Sequence, residues 1–162
     1  MSCASVTEEA IEKAKGIKNR GFYFDYVTLH KFVKTKPYQY PTTPSIPHMF
    51  ALDMQLKYIM EEEGQEARYA RHAAMAETTR KWALDNGFEL LAGEGYRSNT
   101  VTTVKNTRDI DVAALVKEAG TEGYLMSNGY GALKGKTFRI AHMADRKPEV
   151  LEEYLAMLAS KL

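Results

Sequence analysis

Asn128-Gly-Tyr-Gly-Ala-Leu-Lys-Gly-Lys-Thr-Phe-Arg-Ile-Ala-His-Met143 is the stretch of the sequence that decides the fold. Three glycines fall within seven residues, and a run of strand-forming residues follows them. Such a segment is compatible with three structures: a phosphate-binding loop, a hairpin with a charged residue facing water, or a site built around Arg139.

The phosphate-loop interpretation fails on both sequence and context. A Walker loop requires a glycine five residues before Gly135, but Tyr130 occupies that position. The residues after Thr137 also predict a strand, whereas the motif requires a helix. We therefore expect Gly129 and Gly131 to adopt positive φ in a turn, and Gly135 to permit a close backbone approach.

Arg139 has two interpretations from the pattern alone. Strand alternation places Phe138 and Ile140 on one face, and Thr137, Arg139 and Ala141 on the other. A guanidinium on a strand forms an intramolecular ion pair or faces solvent, or it binds the carboxylate of a small acid, which its fork geometry suits.

Hydrophobic periodicity and capping residues predict the remaining elements. Their order predicts an α+β fold, with a small, largely antiparallel sheet packed with helices. We expect helices beginning at Thr7 and Pro148 and over residues 26–33, 48–63, 65–86 and 109–119, with strands over 88–92, 100–105, 124–126 and 137–142.

Two segments before the sheet have their own signatures. Residues 36–47 hold four of the five prolines and predict a stiff extended loop. Residues 48–86 predict a helical hairpin broken at Gly64, whose second helix places Ala67, Ala70, Ala74 and Trp82 near one face. The aromatic segment 21–26 predicts a buried connector.

The bulk composition is typical of an ordinary globular protein forming one domain over residues 1–162. Its 162 residues are 44% hydrophobic and 27% charged, with a formal net charge of +1. This balance predicts neither a nucleic-acid nor a membrane partner. A lone cysteine, Cys3, is typical of a reducing cytoplasm and is a poor candidate nucleophile.

Other ionisable residues show no recognisable catalytic pattern. The four histidines lack metal-ligand spacing, so we expect no metal site. The acidic run Glu61-Glu-Glu63 predicts a solvated helix end, and the spacing identifies no acid–base pair.

Segments across nearly the whole chain resemble, in order, the C-terminal part of class V pyridoxal-phosphate aminotransferases, and specifically the serine–pyruvate and alanine–glyoxylate group. The ordered set is specific although no single member is diagnostic. It comprises Phe22-Tyr-Phe-Asp-Tyr26, Tyr40-Pro-Thr-Thr-Pro-Ser-Ile-Pro47, Ala51-Leu-Asp53, Glu63-Gly64, Arg71-His72, Arg80, Asn99-Thr-Val-Thr-Thr103 and Gly129–Met143.

The resemblance implies the fold of the small domain of fold-type I pyridoxal-phosphate enzymes, and roles for three residues. Arg139 matches the family's arginine for the substrate α-carboxylate. Tyr40 and Thr43 match a tyrosine and a threonine that reach the cofactor phosphate in the partner subunit. Ala141 stands where glycine is usual.

The resemblance also implies what this chain does not carry. The Schiff-base lysine and the large cofactor-binding domain precede the matching segment, whereas Lys15, Lys34 and Lys136 do not match the lysine motif and are expected to be surface charges. We therefore expect no catalytic residue in this chain, no transamination and no bound cofactor on its own.

The complete enzyme is expected to use pyridoxal 5'-phosphate to transfer an amino group between a small amino acid and a 2-oxo acid. We expect a homodimer or higher oligomer, because apolar surface otherwise covered by the large domain would be exposed. The alternative function is a stand-alone, non-catalytic module of the same fold that binds a small carboxylate.

Overall fold

The computed structural model describes residues 3–36 and 39–162, so Pro37 and Tyr38 of the proline-rich loop lie outside the described residues. The chain forms two compact units, which meet in sequence at Tyr58 and Ile59. The interpretation of residues 1–162 as one domain stays a prediction, as does the packing of the two helices of the hairpin.

The described residues of the first unit form three helices: α1 (Glu8–Lys15), α2 (Tyr26–Thr35) and α3 (Ile46–Lys57). Thr7 begins α1 as predicted, because its hydroxyl accepts a hydrogen bond from the Ala10 N–H at 3.2 Å. Asp25 caps α2 through the Val27 N–H and is only 7% exposed, since Arg20 Nε donates to it at 2.8 Å.

The prediction of a buried aromatic connector at residues 21–26 is wrong. Phe22, Tyr23 and Phe24 are 75%, 60% and 76% exposed. Gly21, at φ +74°, turns the chain there, and the residue drawn inward is Asp25, whose carboxylate is satisfied by the helix cap and by Arg20. Local hydrogen bonding therefore decides which side chain of this segment is buried.

The second unit holds the sheet and the remaining helices. A π-helical turn, Tyr58–Glu63, leads into it and ends at Gly64, whose φ is +83°. The elements that follow are α4 (Gln65–Asp85), β1 (Glu89–Leu90), β2 (Val101–Lys105), α5 (Val112–Thr121), β3 (Ser127–Asn128), a 3-10 turn (Gly131–Leu133), β4 (Thr137–Ala141) and α6 (Pro148–Ala159).

The four strands form an antiparallel sheet in the order β1-β2-β4-β3, which confirms the predicted α+β class. One face of the sheet meets residues of α4, α5 and α6 in a single apolar core. Phe138, Ile140 and Val104 are fully buried in it, together with Met75 and Leu151 at 1% exposure. The opposite face of the sheet, which carries Arg139, contributes no residue to that core. It is called the open face below.

Two predictions within this unit are wrong. The strand expected at residues 124–126 lies instead at β3, because Tyr124 N–H bonds to Ala119 O at the end of α5, and Leu125 is 99% exposed. The expected face of α4 is also wrong for its alanines: Ala67, Ala70 and Ala74 are exposed, and the helix buries Met75, Ala76, Thr79 and Ala83. Trp82, the fourth residue of the expected face, is half-buried and packs against the core. Small alanines give a weak periodic signal, so long-range packing chooses the face.

Candidate functional site

Arg139 lies at the centre of β4 and points to the open face, as strand alternation predicts. Its neighbours Phe138 and Ile140 are fully buried on the core side. The antiparallel register places Thr103 of β2 on one side of Arg139 and Ser127 of β3 on the other. Directly paired residues share a face, so a hydroxyl side chain stands on each side of the arginine.

The guanidinium of Arg139 has an aromatic neighbour and, among the described residues, no acidic ion-pair partner. Its Cζ lies 4.2 Å from the centroid of the Tyr130 ring. Its Nε is buried without a hydrogen-bond partner, and no ion pair involves Arg139 within residues 3–36 and 39–162. The intramolecular ion pair considered from the sequence is therefore not formed there.

The turn before β4 is built around Asn128 and Gly129. The Asn128 side-chain oxygen accepts hydrogen bonds from the Gly129 and Gly135 N–H groups at 2.7 and 2.8 Å. A Cβ on Gly129 would lie 2.2 Å from Leu133 O and 2.4 Å from the Thr137 hydroxyl oxygen. This close approach orders the turn that presents both Tyr130 and Arg139.

The predicted roles of two glycines are exchanged in this turn. Gly131 and Gly135 adopt positive φ, at +52° and +75°, with open space where a Cβ would be. Gly129 is the residue of close approach, and its φ lies outside the left-handed region. Spacing alone cannot tell a glycine required for positive φ from one required for a close contact. The first depends on the local φ, and the second depends on the positions of Leu133 and Thr137 in the folded chain.

A second network holds the segment that follows β4. Arg71 donates to Ala144 O at 3.0 Å and to Arg146 O at 2.6 Å, and His72 Nε2 lies 3.1 Å from Ala144 O. Arg68 pairs with Asp145 at 2.8 Å. Ala144 has a φ of +60°, a conformation that a non-glycine residue adopts only when its surroundings impose it.

Glu63 is the acid at the centre of this network, so its prediction as part of a solvated helix end is wrong. Its side chain is only 12% exposed and it pairs with Arg68 and Arg71, both at 2.6 Å. Removal from water raises the pKa of Glu63, but hydrogen bonds from the two arginines outweigh that effect and hold the pKa below its ordinary value. Glu61 and Glu62 are exposed, as predicted.

His142 anchors the end of β4 in the core. It is fully buried, and its Nε2 lies 2.9 Å from the hydroxyl of Thr102 on β2. Burial lowers the pKa of His142 because the charged imidazolium would lose its hydration. The neutral ring therefore links two strands and is not placed to exchange protons with solvent.

Tyr40 and Thr43 belong to the first unit, in the extended segment before α3. Both are exposed, with Tyr40 at 52%. Pro41 and Pro44 stiffen the backbone around them. Hydroxyl donors on a stiff loop suit the acceptor oxygens of a phosphate, and the assignment of this pair to a cofactor phosphate stays a prediction.

Other expectations concern surface residues and metal ligands. Lys15, Lys34 and Lys136 are exposed, as predicted for surface charges. Among the residues that the structure describes, no three metal-ligating side chains form a cluster. No helix in the described part of the chain is long and apolar enough to cross a membrane.

Sequence reasoning missed Tyr130, the two hydroxyls beside Arg139 and the network around Glu63. The first two follow from strand register and turn conformation, which the sequence does not display. The third had a signal, because Glu63 and Arg71 are among the segments that carry the family resemblance, and so are Tyr130 and Thr103.

Known proteins have sequences similar to that of this chain. No protein-family model matches the chain. It is 34% identical over 145 residues to an uncharacterised aminotransferase of Methanocaldococcus jannaschii, covering 88% of this chain and 37% of that protein. It is 31% identical over 147 residues to a serine–glyoxylate aminotransferase of Methylorubrum extorquens, covering 86% of this chain and 36% of that protein.

Homologues of this chain include class V aminotransferases. The fold agrees with this class: the crystal structure of an alanine–glyoxylate aminotransferase from Nostoc sp. matches 96% of this chain and 42% of its own, with a TM-score of 0.82 and 24% identity. The chain spans little more than a third of the length of the curated aminotransferases it matches. Aminotransferases of class V generally use pyridoxal phosphate.

Proposed function

We propose that this chain is the part of a class V aminotransferase that holds the α-carboxylate of a small amino acid or 2-oxo acid. The observation that carries the proposal is Arg139, a guanidinium on the open face of the sheet with a buried, unpartnered Nε and no described acidic partner. Buried or half-buried charges are ordinarily paired, so this arginine is suited to an anion supplied from outside.

Each residue has a distinct task in the proposed reaction. Arg139 binds the substrate carboxylate, and its fork of donors sets the orientation of the Cα substituents. Tyr40 and Thr43 donate hydroxyl hydrogen bonds to the cofactor phosphate of a partner subunit. When bound, pyridoxal phosphate supplies the electron sink for amino-group transfer.

We propose further that this chain is inactive by itself and works as part of an oligomer. No residue of this chain is assigned the Schiff base, so the chain alone neither transaminates nor holds the cofactor. The working form is a homodimer or higher oligomer, since Tyr40 and Thr43 act on a partner subunit's cofactor. A cytoplasmic setting, which the single cysteine favours, is part of the same proposal.

The carboxylate role can be tested on the chain itself by NMR of arginine side-chain Nε–H groups during titration with pyruvate. We expect the Arg139 signal to shift, whereas that of Arg108 stays constant. Arg108 is a matched reference because it too stacks on a ring, that of Phe88 at 5.4 Å, but its guanidinium donates to Asn86 O and Leu162 O. An unmoved Arg139 signal at saturating pyruvate would refute the carboxylate role.

Activity tests the enzyme class. The coding sequence is expressed together with whatever precedes it in its genome and is assayed with amino donors and glyoxylate, pyruvate or oxaloacetate. We expect transamination, and Arg139→Ala should weaken apparent donor affinity by about tenfold to a hundredfold, the loss of charge-assisted hydrogen bonds. A chain that binds pyruvate through Arg139 but whose natural gene product never transaminates would instead be the stand-alone binding module.

A further inference from the structure

The inner and outer ends of the Arg139 guanidinium have different surroundings. The Nε of Arg139 is buried and has no hydrogen-bond partner. Its two terminal nitrogens are not among the buried atoms that lack a partner in the described residues. Because Arg139 makes no hydrogen bond to a described residue, these terminal nitrogens keep some exposure to solvent, whereas Nε is covered. The side chains that cover and orient the guanidinium determine which of its N–H donors a carboxylate can bind.

Tyr130 provides a covering face. Its backbone is extended, at φ −104° and ψ 149°, between Gly129 and Gly131, and its ring centroid lies 4.2 Å from Arg139 Cζ. A ring stacked over a guanidinium is attracted through its negative π face. Stacking occupies a face of the planar group and leaves its edge free, and the edge carries the N–H donors that grip a carboxylate.

Thr103 and Ser127 flank the arginine within the sheet. Each is directly paired with Arg139 in the antiparallel register, so their side chains share its face. Neither hydroxyl makes a hydrogen bond to any described residue. A carboxylate has about four lone-pair sites and one arginine does not fill them all, so hydroxyl donors beside it complete the coordination.

We propose that Tyr130 is a positioning residue for Arg139 and that Thr103 and Ser127 complete the same carboxylate subsite. The ring holds the guanidinium in one orientation, its donor edge faces the ligand, and the hydroxyls bind the carboxylate lone pairs that the arginine leaves free. This subsite recognises the carboxylate of a short organic acid. The inference rests on the proposed carboxylate role of Arg139 and assigns it three supporting residues.

The test uses the 162-residue chain with pyruvate as probe and pyruvamide, which lacks the carboxylate, as its control. Tyr130→Phe keeps the aromatic face, and Tyr130→Leu keeps apolar bulk without it. Tyr130 is 75% exposed, so its contact with the guanidinium is a solvent-exposed cation–π contact. We expect Tyr130→Phe to bind pyruvate as tightly as the original and Tyr130→Leu about 2- to 5-fold more weakly, the range of such a contact at an exposed site. The ring-current shift of the Arg139 Nε–H should persist in Tyr130→Phe and vanish in Tyr130→Leu.

The hydroxyls are tested with Thr103→Val, which preserves shape, and Ser127→Ala. Each should weaken pyruvate binding by about 3- to 10-fold, as for one net hydrogen bond, and leave pyruvamide unaffected. Equal pyruvate affinity in Tyr130→Leu overturns the positioning role, and unchanged affinity in both hydroxyl variants overturns the completed subsite. Either result leaves the carboxylate role of Arg139 standing. Absence of pyruvate binding to the original chain refutes that role and the inference together.

Discussion

Replacing Gly129 by alanine should disrupt the turn that presents Tyr130 and Arg139. The added Cβ would lie 2.2 Å from Leu133 O and 2.4 Å from Thr137 Oγ1, so the nearer atom must move by about 0.8 Å merely to reach 3.0 Å. Neither neighbour yields easily. Leu133 O accepts hydrogen bonds from Lys136 N–H and the Thr137 hydroxyl, and Thr137 is only 2% exposed.

The magnitude follows from two opposing effects. Overpacking of this kind costs about 1–3 kcal/mol, and losing one of the local hydrogen bonds adds about 1 kcal/mol. Reduced freedom of the unfolded chain returns about 0.4–1 kcal/mol, because the φ of Gly129 is accessible to alanine. We therefore expect the free energy of unfolding to fall by about 1–3 kcal/mol.

Urea unfolding followed by the fluorescence of Trp82, the single tryptophan, measures this change. Trp82 stacks with Phe88, which contacts Phe138 edge-on, so its emission reports on the core behind β4. Gly120→Ala is the matched control: Gly120 lies within α5, where an added Cβ meets nothing within 4 Å. That variant should gain about 0.5–1 kcal/mol. If Gly129→Ala unfolds at the original urea midpoint, the close-approach argument is wrong.

Three further changes test the buried polar groups. Tyr154→Phe removes a buried, unpartnered hydroxyl and should stabilise the chain by about 1 kcal/mol in urea unfolding, whereas Tyr124→Phe should change little. Burial raises the pKa of Tyr154 to about 12, so the original chain should also lose stability above about pH 10. Tyr154→Phe should lose less stability over that pH range. Since burial lowers the pKa of His142, stability should be complete above the unfolded value of about 6.5 and fall as the pH drops below it, and an unchanged pH dependence in His142→Gln would contradict this. Glu63→Gln should lower the urea midpoint because it weakens the ion pairs with Arg68 and Arg71. Glu62→Gln, at an exposed position, should leave the midpoint unchanged. Equal midpoints in the two variants would show that the network does not stabilise the chain.

The network around Glu63 also gives a structural reason for segments of the family resemblance that otherwise lack a role. Glu63 and Arg71 are distant in sequence from Ala144 and Arg146, yet they hold the carbonyls that follow β4. Arg80 similarly donates to Ser98 O and to the Asn99 side chain, just before β2. Helix α4 thus supports the ends of the two central strands, one of which carries Arg139.

Local rules were enough to predict several elements. Thr7 and Pro148 mark helix starts because capping and proline geometry involve only neighbouring residues. The orientation of Arg139 followed from the period of a strand, since its flanking residues are strongly apolar. By contrast, the sequence predicts a strand over residues 124–126, whereas in the structure the Tyr124 N–H bonds to Ala119 O near the end of α5 and the strand begins at Ser127.

The sequence by itself therefore determined the α+β class, the starts of α1 and α6, and Arg139 as the residue to examine, because these depend on periodicity and nearest neighbours. Tertiary structure alone decided the environment of Arg139. Tyr130 reaches it through a turn made possible by Gly129, and Thr103 and Ser127 reach it through strand register. These contacts join residues 9 to 36 positions apart, and their geometry depends on how the whole sheet assembles.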